Sequence, residues 1–294
     1  MKALLIVLAM LQGAVQEPGP WRIVYEQDKK LGSMRDDGSD RREEAGTPPG
    51  REVPSPDGKR ILYIEDNERS EQIWVCDADR KNPRKLIDNH EVFGTPSWTH
   101  DGRHIVFGST RDGKCQVWIM ESDGANAVRL TNHPEGARAP RPSPKGDLVA
   151  YLELLPSREE KLPASTLRTV AFKGGDSKVV LEKTQILGYA WSPTGDRLAC
   201  SLVNELRILE MPSGKAVRSF TLNEISKQLH AHAAFGMLWR PDGKAIACTI
   251  TFLGGRMLGT KVFGDDLIFI LPFEGKPVIL TPGGPAGPVR WIRE

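Results

Sequence analysis

The chain has 294 residues, 39% hydrophobic and 27% charged, the balance of a folded soluble protein. Its 40 basic and 38 acidic residues leave a formal charge of +2. That excludes the electrostatic footprint of a nucleic-acid binder, and pairs such as Arg41-Arg42 read as solvated surface.

The first 16 residues stand apart. Met1-Lys2 precedes an apolar run from Ala3 to Leu11, then small and polar residues through Gln16. A charged start followed by an apolar stretch too short to span a bilayer predicts a signal peptide over 1–16, and export to the periplasm or medium. No other run approaches the length of a membrane span. The mature chain, 17–294, is expected to be one domain and a monomer.

Next comes a repeat. Pro54-Ser-Pro-Asp-Gly58 returns as Trp98-Thr-His-Asp-Gly102, Pro142-Ser-Pro-Lys-Gly146, Trp191-Ser-Pro-Thr-Gly195 and Trp239-Arg-Pro-Asp-Gly243. The glycines are spaced by 44, 44, 49 and 48 residues. Each copy has hairpin chemistry. Proline sets φ early in the turn, aspartate caps it, glycine supplies the positive φ, and an apolar strand follows. The Trp or Pro four residues before the glycine ends the preceding strand and packs between neighbours. A second hairpin follows each first one, as in Gln72-Ile-Trp74, Gln116-Val-Trp118, Leu206-Arg-Ile208 and Leu267-Ile-Phe269. Four strands in about 44 residues is the dimension of a propeller blade. Residues 22–26 look like a second strand lacking its first, and Pro288-Val-Arg-Trp291 like a first strand lacking the rest. The two complete one blade, so the fold class is an all-β, six-bladed β-propeller of four-stranded antiparallel blades, closed by the C-terminal strand. The four cysteines lie far apart with no C-x-x-C pair; Cys200 and Cys248, inside apolar strands, read as packed thiols.

Repeats of the form W-S-P-D-G-K-x-I-A-F, then x-I-W-V-x-D-A-D-G, then L-T, resemble those of TolB-like propellers. The resemblance covers about residues 21–294. It implies the six-bladed fold and says little about the ligand, because the repeated residues build hairpins. No G-x-S-x-G occurs, so a peptidase of the prolyl oligopeptidase kind is not expected.

In such a fold, the turns within hairpins lie on one face. The connections between blades, and between second and third strands, lie on the other. Two long insertions on that second face, 152–166 and 251–266, mark a candidate surface for a protein, peptide or glycan partner, with Arg158, Phe252, Arg256 and Phe263 as its residues. No cofactor is expected for such recognition. The alternative is a metal-dependent polysaccharide lyase or hydrolase. His90, His133 and His232 stand seven to nine residues before a blade start, where imidazoles from several connections would converge on a divalent metal. Some pectate-type lyases with similar propellers use such a cluster. The adjacent acids Glu43-Glu44 and Glu159-Glu160 point to opposite faces of a strand and make poor acid–base pairs.

Overall fold

The computed structural model describes residues 21–27, 30–44, 52–67, 70–87, 92–156, 164–222, 231–252, 267–274, 276–280 and 286–293. Segment 1–16, with its expected signal peptide, lies outside them.

The first blade contains β1 (Trp21–Gln27), β2 (Lys30–Arg35) and β3 (Arg42–Glu44). The second contains β4 (Glu52–Pro54), β5 (Arg60–Asn67), β6 (Ser70–Asp77) and β7 (Arg84–Lys85). The third contains β8 (Val92–Trp98), β9 (His104–Ser109), β10 (Gln116–Glu121) and β11 (Val128–Arg129). The fourth contains β12 (Ala137–Pro142), β13 (Leu148–Leu154), β14 (Ser165–Ala171) and β15 (Lys178–Thr184). The fifth contains β16 (Ile186–Trp191), β17 (Arg197–Leu202), β18 (Glu205–Glu210) and β19 (Ala216–Thr221). The sixth contains β20 (Ala231–Trp239), β21 (Ala245–Phe252), β22 (Leu267–Pro272) and β23 (Val278–Ile279).

The last strand, β24 (Ala286–Arg293), pairs antiparallel with β1, so the first sheet reads β24-β1-β2-β3. The blade split between the chain ends is therefore completed as the sequence predicts. Six four-stranded antiparallel sheets make this a six-bladed β-propeller. The residues group into two compact units, one of Met1–Pro48, Asn204–Leu206 and Phe220–Glu294, the other of Pro49–Val203 and Arg207–Ser219.

The repeat motifs act as their chemistry dictates. In the second blade Ser55 Oγ donates to Asp57 Oδ1 (2.6 Å), and the carboxylate accepts from Lys59 N–H (3.1 Å). Thr99 and Asp101 repeat this in the third blade at 2.6 and 3.0 Å. The motif tryptophans latch one blade to the previous one. Trp98 Nε1 donates to Val53 O at 2.9 Å, and Trp191 Nε1 to Arg141 O at 3.0 Å.

Within each unit, apolar contacts fill the spaces between neighbouring sheets. In the larger unit, Val106, Val117 and Ile119 of the third blade pack on Val149, Tyr151 and Val170 of the fourth. In the smaller unit, Ile23, Tyr25 and Met34 pack on Ala245, Ala247, Ile268 and Ile270. All four cysteines are free thiols, and Cys200 and Cys248 are fully buried.

Candidate functional site

Backbone bonds establish which loops share an end of each blade. The two hairpin turns meet at one end: Ala78 N–H reaches Lys59 O (2.8 Å), Ser122 reaches Arg103 O (2.8 Å), and Phe172 reaches Asp147 O (2.9 Å). At the other end, Ala137 N–H reaches Cys115 O (2.7 Å) and Leu154 N–H reaches Gly136 O (2.9 Å). The turn at 110–114, the connection at 131–136 and the strand ends that bear the blade-four insertion thus lie together. With β13 ending at Leu154 and β14 beginning at Ser165, that insertion is shorter than its sequence bounds suggest.

Of the residues singled out in the sequence, Arg158, Arg256, Phe263 and His90 lie outside the described residues. Phe252 ends β21 and His232 lies in β20, with side chains outside the description. His133 is described fully. It sits between β11 and β12, largely buried, and both of its ring nitrogens are engaged.

Nδ1 lies 3.1 Å from Glu153 Oε1, and Nε2 lies 2.9 Å from the Tyr151 hydroxyl. Arg168 Nε donates to the other oxygen of Glu153, and Arg168 Nη1 donates to Ser177 Oγ at 3.2 Å. Ser177 in turn hydrogen-bonds the Tyr151 hydroxyl. The five side chains form a circuit whose donors and acceptors match from one member to the next when His133 is neutral with its proton on Nδ1. Tyr151 then donates to Nε2 and accepts from Ser177.

Burial holds His133 below the ordinary histidine range; Glu153 pulls the other way and Arg168 adds to the lowering. Burial likewise raises the Tyr151 hydroxyl above the ordinary phenol range. Tyr151 has no accessible surface. Edges of His133, Glu153 and Arg168 stay accessible, and the circuit ties the connection at 131–136 to the ends of β13 and β14.

Gln116 fixes the backbone of the same connection. Its Nε2 donates to His133 O (2.7 Å), and its Oε1 accepts from Thr131 Oγ1 (2.7 Å) and His133 N–H (3.2 Å). Around this base the surface is charged. Lys114 pairs with Glu135 at 2.6 Å and Arg129 with Asp112 at 3.4 Å, while Arg111 lies 4.5 Å over the Trp118 ring. Among the described residues, no three of His, Cys, Asp and Glu are grouped to hold a metal. Sequence reasoning missed Tyr151, Glu153, Arg168 and Ser177. The available signal was Gln116, which shares its place before a Trp with Gln72.

Comparison with known proteins agrees with this fold. Residues 37–161 match the family model of the TolB beta propeller domain. The repeats, the six sheets and this match define a TolB-like six-bladed β-propeller.

Among solved structures, the chain is similar to TolB from Acinetobacter baumannii, with TM-score 0.60 and 17% identity over 96% of this chain and 70% of that one. It is similar to hydrazine synthase from Kuenenia stuttgartiensis, with TM-score 0.58 and 14% identity over 78% and 64%. An oligogalacturonate lyase from Vibrio parahaemolyticus gives 0.56 and 12% over 91% and 75%. The chain spans about two thirds of the length of the first structures it matches. At these identities the likeness is one of fold. A comparison with curated protein sequences finds no match, and no helix among the described residues is long and apolar enough to cross a membrane.

Proposed function

We propose that this chain is an exported binding propeller that recognises a partner protein, peptide or glycan through the loop-bearing end of its blades. The observation that carries the reading is the circuit of His133, Glu153, Arg168, Ser177 and Tyr151. It ties the connection at 131–136 to the strand ends at the base of the blade-four insertion. A rigid base under a variable loop suits recognition, because little ordering cost remains to be met on binding. The insertion carries Arg158; Phe252, Arg256 and Phe263 are the corresponding residues of blade six.

The metal-dependent lyase reading, with His90, His133 and His232 as ligands, requires His133 to give up Glu153 or Tyr151. Its hydrogen bonds favour recognition instead.

The test is site-specific photo-crosslinking in the cell envelope fraction, with the crosslinker at position 158 and, as control, at position 123 in the opposite turns. A discrete adduct from 158 alone supports the reading. Equal labelling from both positions, or metal-dependent cleavage of a polysaccharide that His133→Ala abolishes, overturns it.

A further inference from the structure

The smaller unit contains a hollow beside a position where other blades carry a large side chain. Position by position, Tyr25 of β1 corresponds to Tyr63, Phe107, Tyr151 and Cys248 in the second strands of other blades. Across to the third strand, Tyr63 faces Trp74, Phe107 faces Trp118, Tyr151 faces Arg168 and Cys248 faces Phe269. Tyr25 faces Gly32. A large side chain in those blades is replaced by a hydrogen atom in the first. A Cβ at Gly32 would stand 2.7 Å from Tyr25 Cζ and Oη, so the absence of a side chain is what lets the Tyr25 ring lie across β2.

Above this floor is an open cavity of about 590 Å³, lined by Tyr25, Lys30, Leu31, Gly32, Arg41, Arg42 and Glu43. That falls within the range of small-molecule sites, roughly 300–1,000 Å³.

The charges of the lining are unequal. Glu43 lies opposite Gly32 in the ladder, so Lys30, two residues away along β2, shares its face, and Arg41, just ahead of β3, lines the same hollow. Lys30 reaches Glu43 only loosely, at 3.7 Å, with both side chains more than three-quarters exposed. Arg42 is answered by Asp40 at 2.5 Å. Arg41 donates Nη2 to Leu280 O at 2.9 Å and pairs with no carboxylate among the described residues. The sequence reads this basic pair as solvated surface. Both residues are indeed exposed, but they stand at the rim of a hollow floored by an aromatic ring.

We propose that this hollow binds a small aromatic carboxylate. Its ring lies against Tyr25, whose own ring covers Gly32 where Trp74, Trp118 and Phe269 stand in other blades. Its carboxylate engages the Arg41 guanidinium, whose planar fork suits two parallel bonds, with the Lys30 ammonium beside it.

The test uses benzoate as the probe, in calorimetric and saturation-transfer NMR titrations, with benzamide as the uncharged counterpart. Benzoate should saturate one site per chain. Affinity should fall at least about tenfold for benzamide and for Arg41→Gln, the scale of a lost charge-assisted bond. Arg103→Gln, at an exposed arginine of the third blade, should bind as wild type does. Gly32→Trp, which restores the bulk found in other blades, should lose binding. If that variant does not fold, Arg41→Gln decides the matter alone. Absence of saturable binding to the wild type, or an unchanged affinity in Arg41→Gln, overturns the proposal.

Discussion

Replacing Tyr151 by Phe removes one oxygen atom from the side-chain circuit and leaves the packing against Val106, Val117 and Ile119 in place. The deleted O–H is the donor to His133 Nε2 at 2.9 Å. A buried hydrogen bond of this kind contributes about 0.5–1.5 kcal/mol net. Water can reach His133, whose side chain keeps 16% of its exposure, so the loss should sit near about 1 kcal/mol rather than at the full cost of an unsatisfied group.

The loss depends on pH, and the sign follows from the lowered histidine. An unfolded histidine takes its proton near pH 6.5, whereas burial holds His133 below that value in the folded chain. Between the two values the unfolded state binds more protons, so wild-type stability rises with pH across that window and falls as the solution is acidified through it. Once His133 is protonated, Nε2 carries a hydrogen that faces the Tyr151 oxygen, and the hydroxyls of Tyr151 and Ser177 must turn round. The Tyr151→Phe variant has no such conflict. Its deficit relative to wild type should therefore be largest above about pH 7 and shrink below the folded value.

Urea unfolding at a series of pH values measures the deficit, and NMR titration of the His133 ring reports its protonation directly. A deficit that stays constant with pH, or a His133 that titrates at or above the unfolded value in the wild type, refutes the circuit as described.

Trp98 and Trp118 are a matched pair, 6% and 7% exposed, each under an arginine at 4.7 and 4.5 Å. Trp98 Nε1 bonds Val53 O, while Trp118 Nε1 is buried without a partner. Trp98→Phe should therefore cost about 1 kcal/mol more than Trp118→Phe in urea unfolding; equal losses would deny the latch. Gly214 and Gly58 share φ near +70°, but a Cβ would lie 2.6 Å from Val180 O at the first and meet nothing within 4 Å at the second. Gly58→Ala should cost about 1 kcal/mol, the backbone penalty alone, and Gly214→Ala clearly more. The hydroxyl bonds of Ser55 to Asp57, and of Thr194 to Asp196, hold these carboxyls below the ordinary aspartate range. Stability they add is present above about pH 4 and lost as pH falls through the lower folded values. Ser55→Ala should flatten the acid limb of an unfolding profile, which scanning calorimetry across that range reads. Burial pushes the Cys200 and Cys248 thiols up to about 12, so both should resist a thiol reagent until the protein is unfolded.

What was legible in the sequence follows from the range of the interactions concerned. Each blade announces itself through a turn whose partners lie within five residues, as Ser55, Asp57, Gly58 and Arg60 do. Five such turns at near-constant spacing suffice to count strands and to require that Trp291 complete the blade of Tyr25. The circuit at the candidate site has no such local signature. Tyr151 and Arg168 meet only because β13 and β14 pair in the register that places them opposite one another. Glu153 reads along its strand as an ordinary polar residue near a strand end.

His133 stands out in the sequence for its place in a connection between blades, and nothing local shows that its two ring nitrogens face Glu153 and Tyr151. The hollow at Gly32 was hidden differently, since a missing side chain carries meaning only once the third strands are set side by side. Trp74, Trp118 and Phe269 then define what Gly32 lacks. The same comparison separates the two kinds of residue in this chain. Positions that keep their chemistry from blade to blade, such as the turn glycines and the latching tryptophans, build the propeller. Positions where a single blade departs from that pattern, such as Gly32 and the His133 circuit, are where this chain has room for a function of its own.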